Sequence, residues 1–302
     1  METKKVYIII INWNGKKDTL ECLDSINKMR YKNYEIVVVD NGSKDDSVEV
    51  IKNKHPEVVI LETGQNLGFS GGNNIGMRYA LGHGADFILL LNNDTIVDST
   101  LLDRLVNASQ NGKRNGIFAP KIYYYSQPKK IWYGGVERTR DEWMFHHIGY
   151  GTSEKEVPSN SIIETEYACG CALFISADIL NKIGLFDERF FLIFEETDLC
   201  FRARRIGIRS FLVPEGNVWH KASTSFGGEN SPKFHYFYMR NKLLFAHKHL
   251  NITERILIYK DVLKEIARCV TPGNYRNPIS RAKLLGVKDY LLKNYGNCPA
   301  SI

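Results

Sequence analysis

Three polar side chains that carry oxygen follow an apolar run in the first third of the chain. The run is Leu89–Leu91, and Asn92, Asn93 and Asp94 come directly after it. A buried strand ending here would deliver two amides and a carboxylate into a cleft. Oxygen ligands of this kind suit Mg²⁺ or Mn²⁺, which in turn bind diphosphate. The alternative is a polar turn that only ends the strand, and this motif alone supports the two interpretations equally.

Three acidic residues follow an aromatic segment further along the chain. Phe190–Phe194 leads directly into Glu195 and Glu196, and Asp198 follows. A carboxylate beside apolar walls is harder to ionise, so its pKa rises toward the range that suits a general base. The alternative is a helix N-terminus, where acidic residues favour the positive end of the helix dipole. Both can hold together, with one acid structural and another catalytic.

Two weaker motifs complete the candidate chemistry. His220 follows an apolar segment, and a lone histidine there is more often a structural hydrogen-bonding group, so it gains meaning only as a partner of Asp94. The glycine-rich stretch at 66–76, which includes Gly68, opens a helix but fits neither a dinucleotide fingerprint nor a P-loop. Its glycines permit close backbone approach to a ligand, and the helix N-terminus favours negative charge. The alternative is an ordinary tight turn.

The elements that must position these residues alternate in type over the first half of the chain. Hydrophobic patterning predicts strands at 6–11, 35–40, 58–62 and 87–91, and helices at 17–29, from a Ser43 cap to about 55, and at 70–81. This order predicts a mostly parallel sheet flanked by helices, with ligands beyond the carboxyl ends of its strands. Residues 120–161 read as loops and short antiparallel strands. A strand at 167–176 and a helix at 177–183 follow, and the pattern turns helical and basic from about Pro232.

Composition is that of a globular protein, with 43% hydrophobic and 25% charged residues among 302. Disorder, collagen and a disulfide-rich miniprotein are therefore excluded for the whole chain. The six cysteines form no CxxC pair, which favours free thiols in a reducing compartment. Because no run approaches 18 apolar residues, we expect a cytoplasmic protein, or one peripheral on the inner face of the cell membrane.

The net charge of +6 is unevenly distributed and too weak to indicate nucleic acid binding. Residues 231–302 hold 13 Lys plus Arg against 4 Asp plus Glu. Within them a basic amphipathic helix is predicted from the helical spacing of Ile252, Ile256, Leu263, Ile266 and Val270. Such a helix can lie on an anionic membrane surface, so 251–302 is a candidate peripheral membrane contact. The alternatives are a helix packed on the domain, or on a second subunit in a homodimer.

Several longer motifs together carry a family resemblance. They are INWNG at 11–15, EIVVVDNGSKDDS at 35–47, NLGFSGGNNIGM at 66–77, FILLLNNDTIVD at 87–98, IGLFDERFFLIFEETDLCFRARRIG at 183–207, VPEGNVWHKAST at 213–224 and YMRNKLL at 238–244. In this order the chain resembles the family 2 glycosyltransferases, especially the rhamnosyltransferase-like branch, over about residues 5–245. The resemblance implies an α/β GT-A fold at 1–230, with a nucleotide-sugar-binding half at about 1–115 and an acceptor half at about 116–230. A basic helical extension would occupy 231–302.

The resemblance also implies a reaction. A sugar would move with inversion from a nucleotide diphosphate donor, of the dTDP-rhamnose or UDP-sugar type, to a hydroxyl of a glycan or lipid-linked glycan. Asp94 would carry the main contact to Mg²⁺ or Mn²⁺, and His220 would complete the metal site. Glu195–Glu196 match a Glu-Asp pair whose second member is the base. Because Glu196 is one methylene longer than the usual Asp, Asp198 remains an alternative base.

The donor and the acceptor would contact a further set of residues on this resemblance. Asp40 matches the acid that contacts the pyrimidine base, and the other expected substrate-binding residues are Asn12, Trp13, Asn66, Gly68, Asn92, Asn93 and Gly170. The acceptor pocket is expected to draw on 120–165 and on Cys169–Ala172.

Two rival functions remain open. A nucleotidyltransferase would normally carry a basic glycine-rich loop directly after the first strand, and the segment 12–17 fits this poorly. A catalytically degenerate protein that only binds nucleotide sugar is the other rival. The joint presence of Asp94, the acidic cluster and His220 argues against it.

Overall fold

The computed structural model describes residues 3–111, 115–139, 145–153, 161–222, 228, 230–299 and 302. Its first half alternates strands and helices as predicted. The elements are β1 Val6–Asn12, α1 Lys16–Ile26, β2 Tyr34–Asp40, α2 Ser47–Lys54, β3 Val59–Glu62, α3 Gly68–Gly82 and β4 Phe87–Asn92. Strand β1 lies between β2 and β4 and pairs in parallel with both, and β3 adds in parallel to β2. The carboxyl ends of these strands therefore meet at one edge of the sheet.

The second half extends the same sheet with strands of both directions. Its elements are β5 Thr95–Val97, α4 Leu101–Asn111, β6 Gly116–Tyr124, β7 Gln127–Tyr133, β8 Val136–Arg138, β9 Phe145–His147, β10 Ile163–Thr165, β11 Ala172–Ser176, α5 Ala177–Ile183, α6 Glu195–Arg205 and β12 Arg209–His220. Strand β11 runs antiparallel between β4 and β6, and the strand order is β10-β12-β6-β11-β4-β1-β2-β3. Helices flank this mixed sheet, so the predicted fold class is confirmed.

One local prediction was wrong, and another was confirmed only in part. Helix α2 begins at Ser47 after Asp46, not after Ser43, whose hydroxyl instead accepts hydrogen bonds from Asn12 and Asn14. The segment 120–161 was expected to hold loops and short antiparallel strands. Strand β7 does run antiparallel to β6, and β8 and β9 form a separate antiparallel pair, but 120–124 complete β6, a nine-residue strand that is also parallel to β12. Pro120 is tolerated there because β12 bulges opposite it, so the missing backbone N–H leaves no gap in a regular ladder. Parts of the predicted acceptor half, at 140–144, 154–160, 223–227 and 229, lie outside the described residues.

Three helices follow the sheet: α7 Pro232–His249, α8 Ile252–Cys269 and α9 Pro278–Leu291. Each begins after a residue whose side chain accepts a backbone N–H, namely Ser231, Asn251 and Asn277. Helix α7 shares a core with α6 through Phe201 and Phe245, whose rings meet edge to face at 4.9 Å. Among the described residues, no helix is long and apolar enough to cross a membrane.

Candidate active site

The smaller of two neighbouring cavities, about 230 Å³, lies at the carboxyl ends of β1 and β4. The parallel register that pairs Ile11 with Asn92 brings these ends together. Seven predicted site residues line this cavity: Trp13, Asn66, Gly68, Asn92, Asn93, Asp94 and His220. Residues that are distant in sequence thus bring amide, carboxylate and imidazole groups into one cleft.

Asp94 and His220 meet because β5 pairs antiparallel with the end of β12, where Thr95 lies opposite His220. Asp94 Oδ1 is 3.1 Å from His220 Nε2, and both side chains are buried. The other imidazole nitrogen, Nδ1, is buried without a hydrogen-bond partner among the described residues. A carboxylate beside an imidazole nitrogen fits Mg²⁺ or Mn²⁺, which keep several positions for phosphate oxygens or water. The described ranges contain no group of three or more His, Cys, Asp or Glu side chains that could hold a metal. An ion at Asp94 and His220 would therefore also need ligand atoms from a bound molecule.

Asn12 and Asp40 lie behind the smaller cavity rather than on its wall. The Asn12 amide donates to Asp40 Oδ1 at 2.9 Å and to Ser43 Oγ at 3.0 Å, and its carbonyl accepts from Thr19. Asp40 Oδ2 accepts from the Ser43 backbone amide. With these partners both side chains are buried, and they fix the loop that carries Trp13 into the cavity.

Asn41 is a wall residue that the sequence did not single out. Its Nδ2 donates to Asn66 Oδ1 at 3.2 Å and to the Gly68 carbonyl at 3.0 Å, while its Oδ1 accepts from the Leu67 amide. The amide therefore ties the end of β2 to the glycine-rich turn. Asn41 directly follows Asp40, the last residue of β2, and this position at the carboxyl end of a strand could have identified it as a site residue.

The larger cavity, about 420 Å³, adjoins the smaller one and shares Phe69, Asn92 and Leu192 with it. Gly170, Glu195 and Glu196 line it, so these predicted residues come together. Its other walls are mainly aromatic and apolar, and include Trp132, Phe145, His147, Tyr167, Phe194, Phe234, Tyr238, Phe245, Leu250 and Ile258. Helix α7, predicted as part of a C-terminal extension, therefore supplies one wall. This contact could not be predicted from the sequence, because helical spacing does not show what a helix packs against.

The two glutamates begin α6 inside the larger cavity, and each has one buried carboxylate oxygen, Oε2, without a hydrogen-bond partner among the described atoms. Burial raises the pKa of Glu195, and the neighbouring Glu196 charge raises it further. Burial also raises the pKa of Glu196, although the backbone amides of Glu196, Thr197 and Gly170 partly counteract it. A carboxylate with a raised pKa in a cleft can act as a general base.

Asp198 has a different environment, although it follows Glu196 by only two residues. Its fully buried carboxylate lies 2.8 Å from Arg202 Nε, 2.5 Å from Lys248 Nζ and 2.7 Å from His249 Nε2. Burial alone would raise the pKa of Asp198, but the His249 hydrogen bond and the two cationic charges outweigh it and lower the pKa. Asp198 is not among the residues that line either cavity. Its contacts with Lys248 and His249 join α6 to α7. We therefore assign Asp198 a structural role rather than the role of base.

The segment before Glu195 has a strained backbone. Phe191, Ile193 and Phe194 have φ angles of 60°, 71° and 78°. The left-handed region costs an L-residue about 1–2 kcal/mol, and for a β-branched residue such as Ile193 it is an outlier. Surrounding contacts must therefore stabilise this loop, and strain of this kind is common beside active sites.

The sheet, its helices and the cavities at its carboxyl edge correspond to the GT-A fold. The structure matches a solved chain of GalNAc-T7, crystallised with UDP, GalNAc and Mn²⁺, at a TM-score of 0.66 and 16% identity. The match covers 97% of this chain and 57% of that one. The chain belongs to glycosyl transferase family 2, whose sequence model matches residues 7–184. The predicted family is confirmed, and its named relatives are glycosyltransferases.

Relatives of low identity carry names of sugar-transferring enzymes. Identity is 28% over 208 residues with the low-salt glycan biosynthesis hexosyltransferase Agl10 of Haloferax volcanii, covering 67% of this chain and 62% of that protein. It is 25% over 237 residues with an N-acetylglucosaminyl-diphospho-decaprenol L-rhamnosyltransferase of Mycobacterium tuberculosis, covering 71% of this chain and 75% of the relative. The chain thus spans less than two thirds of Agl10 and of the GalNAc-T7 chain, so their substrates do not carry over directly.

Proposed function

We propose that the protein transfers a sugar, with inversion, from a nucleotide diphosphate donor to a hydroxyl of a glycan or lipid-linked glycan. The observation that carries this proposal is the pair of adjoining cavities. One cavity holds Asp94 and His220, the other holds Glu196, and Leu192 lies on the wall of both. A donor in the smaller cavity would therefore meet an acceptor in the larger one.

The donor half of the proposal assigns recognition to the smaller cavity. Trp13, Asn66, Gly68, Asn92 and Asn93 would bind the nucleotide and the sugar, with Asn12 and Asp40 supporting the loop behind them. Asp94 and His220 would hold Mg²⁺ or Mn²⁺, and the bound ion would neutralise charge on the leaving diphosphate. A donor of the dTDP-rhamnose or UDP-sugar type follows from the family resemblance.

The acceptor half assigns the proton transfer to Glu196. As the acceptor oxygen bonds to the anomeric carbon, its proton passes to the Glu196 carboxylate, and the bond from that carbon to the nucleoside diphosphate breaks on the opposite face. The configuration inverts in one displacement. Glu195, whose pKa the Glu196 charge raises further, would remain protonated and limit repulsion within the pair. Gly170 supports the assignment, because it lies beside Glu196 in the larger cavity and its backbone amide lowers the pKa of that carboxyl, which favours the ionised base.

One assay separates this function from its rivals. The protein is incubated with UDP-, GDP- and dTDP-sugars plus Mn²⁺, and released nucleoside diphosphate is measured. Release that increases on adding a glycan or lipid-linked acceptor supports sugar transfer. Pyrophosphate release from nucleoside triphosphate would instead indicate a nucleotidyltransferase. Donor binding detected by thermal shift without any release would indicate a degenerate binding protein.

We further propose that α8 places the larger cavity near an anionic membrane surface on the cytoplasmic side. Spacings of four and seven residues put four apolar side chains on one face, here called the α8 stripe: Ile252, Ile256, Leu263 and Val270. Their exposed fractions are 70%, 44%, 63% and 57%. Exposed Lys260 and Lys264 flank them, and each basic residue near an anionic surface contributes about 1 kcal/mol. Ile258 and Leu250 connect α8 to the larger cavity.

The membrane proposal is tested with vesicles of phosphatidylcholine alone and with added phosphatidylglycerol. We expect binding only to the anionic vesicles, weaker binding at high salt, and its loss when Ile256→Glu and Leu263→Glu are combined. Leu291→Glu, which changes an exposed leucine on α9, is the matched control and should still bind. A dimer in sedimentation that the stripe variant dissociates, without vesicle binding, would show a homodimer interface and overturn the membrane contact.

A further inference from the structure

Arg240 and Asn241 are fully buried neighbours on α7, and neither is among the residues that line the smaller or the larger cavity. Arg240 Nη2 donates to the carbonyls of Arg189 and Phe190, at 3.2 and 3.0 Å. Its Nε donates to Asn241 Oδ1 at 3.0 Å. A guanidinium suits this arrangement, because its five donors diverge in a fixed plane.

Asn241 continues the same contact along the loop. Its Nδ2 lies 2.7 Å from the carbonyls of Phe190 and Leu192 and 2.8 Å from that of Ile193. Because Arg240 already donates to Oδ1, the side-chain amide has one orientation, with its nitrogen facing the loop. Together the two side chains bind four backbone carbonyls in the segment 189–193.

This segment is the strained loop before Glu195, and it contacts both cavities. Its Phe191 carbonyl accepts from the Ser70 amide of α3 at 3.2 Å, and a Cβ at Gly68 would lie only 2.5 Å from the same oxygen. The loop backbone thus presses against the glycine-rich turn of the smaller cavity. Leu192 then borders both cavities, and Ile193 leads toward the glutamates of the larger one.

We propose that Arg240 and Asn241 are positioning residues for sugar transfer. By binding the loop carbonyls they hold the left-handed segment that sets Leu192 between donor and acceptor and Glu196 at the start of α6. Neither residue touches substrate. This inference rests on the proposed role of Glu196, and it adds two residues of α7 to the catalytic arrangement.

Asn241→Ala removes the amide that binds three carbonyls and keeps Arg240. We expect kcat to fall, by up to roughly a hundredfold, because a small misplacement of a reacting group has such an effect. The donor KM should change little, since most of the smaller cavity is held by other elements. The acid limb of the pH profile should move to lower pH, because water reaching Glu196 weakens the burial that raises its pKa. Donor hydrolysis should rise relative to transfer.

Asn277→Ala is the matched control, since it removes a side-chain amide that caps α9, the helix packed on α7. It should lower the melting temperature but leave the pH profile and the hydrolysis ratio unchanged. Hydrogen exchange provides a readout that needs no activity: Asn241→Ala should speed exchange of the 190–194 amides, and Asn277→Ala should not.

If Asn241→Ala does not fold, Arg240→Lys serves instead, because it keeps the charge but loses the planar fork. Unchanged kcat, acid limb and loop exchange in the folded variant would overturn the proposal. If wild type shows no transfer while loop exchange still responds to Asn241→Ala, the proposed function fails and the loop contact stands. If wild type transfers sugar and the variant is normal, only the positioning role fails.

Discussion

Glu196→Gln separates the catalytic contribution of this side chain from its effect on stability. The amide keeps the shape of the side chain, but it cannot accept a proton from the acceptor hydroxyl. Positioned general bases contribute about 10²–10⁴-fold, which corresponds to about 2.7–5.4 kcal/mol of activation free energy. We therefore expect transfer to fall at least about a hundredfold. Donor affinity should be retained, because Glu196 lines only the larger cavity.

The same substitution should raise stability near neutral pH. Burial raises the pKa of Glu196 in the folded state, so folding opposes its ionised form. The unfavourable contribution is absent well below the unfolded pKa of about 4.3, and it grows as the pH rises from there through the raised folded value. An uncharged amide removes this contribution, so the variant should melt at a higher temperature than wild type at pH 7.

The assay is release of nucleoside diphosphate with the best donor and acceptor pair, together with donor titration and a melting curve. Glu195→Gln is the matched control in the same buried pair, and it should lose less transfer because Glu195 is not the proposed base. Near-normal turnover of Glu196→Gln would refute the assignment. Equal losses in both variants would show that the pair acts as one unit and that Glu196 has no separate role.

Three further outcomes follow from the same contacts. Asp198→Asn should lower stability by about 1–3 kcal/mol, because the partly buried cations Arg202 and Lys248 lose the fully buried carboxylate, although Lys248 keeps Asp187; kcat of the folded fraction should stay near wild type, and a large loss of kcat without loss of stability would make Asp198 the better base. Asp94→Ala should abolish the part of nucleotide affinity that depends on Mn²⁺, measured by calorimetry with and without chelator, and an unchanged metal titration would count against a metal site there. Wild-type kcat/KM should fall on the acid side at a pH above the usual carboxyl pKa range, because the base Glu196, whose pKa is raised, becomes protonated there. The residual activity of Glu196→Gln should not show this fall.

The sequence predicted the parts of the site that one strand or one helix start carries. Asn92–Asp94 and Glu195–Glu196 follow apolar segments directly, so a strand end and a helix start place them without reference to the rest of the chain. The parallel first half was predictable for the same reason, because its buried strands alternate with amphipathic helices. The burial of Asn12 and Asp40 was not predictable, because it depends on side-chain hydrogen bonds to Thr19 and Ser43.

Contacts between distant segments were the part that the sequence could not supply. From the sequence His220 was only a weak candidate, dependent on Asp94 as its partner, and its place beside Asp94 depends on the pairing of β5 with β12. The role of α7 was missed because its apolar positions face α6, α9 and the larger cavity, so it lacks the single apolar stripe that would predict one packing face. Strand β6 was missed because Pro120 argues against a central strand unless the partner bulges.

Three acidic residues on the first turn of α6 differ in pKa because their surroundings differ. Glu195 and Glu196 face an apolar cavity and have raised pKa values, whereas Asp198 points to three cationic or hydrogen-bonding groups and has a lowered one. Different pKa values within one cluster allow one carboxylate to stay ionised while its neighbours exchange protons. Here the ionised Asp198 also holds Glu195 and Glu196 in place. Asp198 binds Lys248 and His249 at the end of α7, and Arg240 and Asn241, two turns earlier on the same helix, bind the loop that enters α6. Glu196 lies between these two attachments, so α7, which forms a wall of the larger cavity, also positions the proposed base.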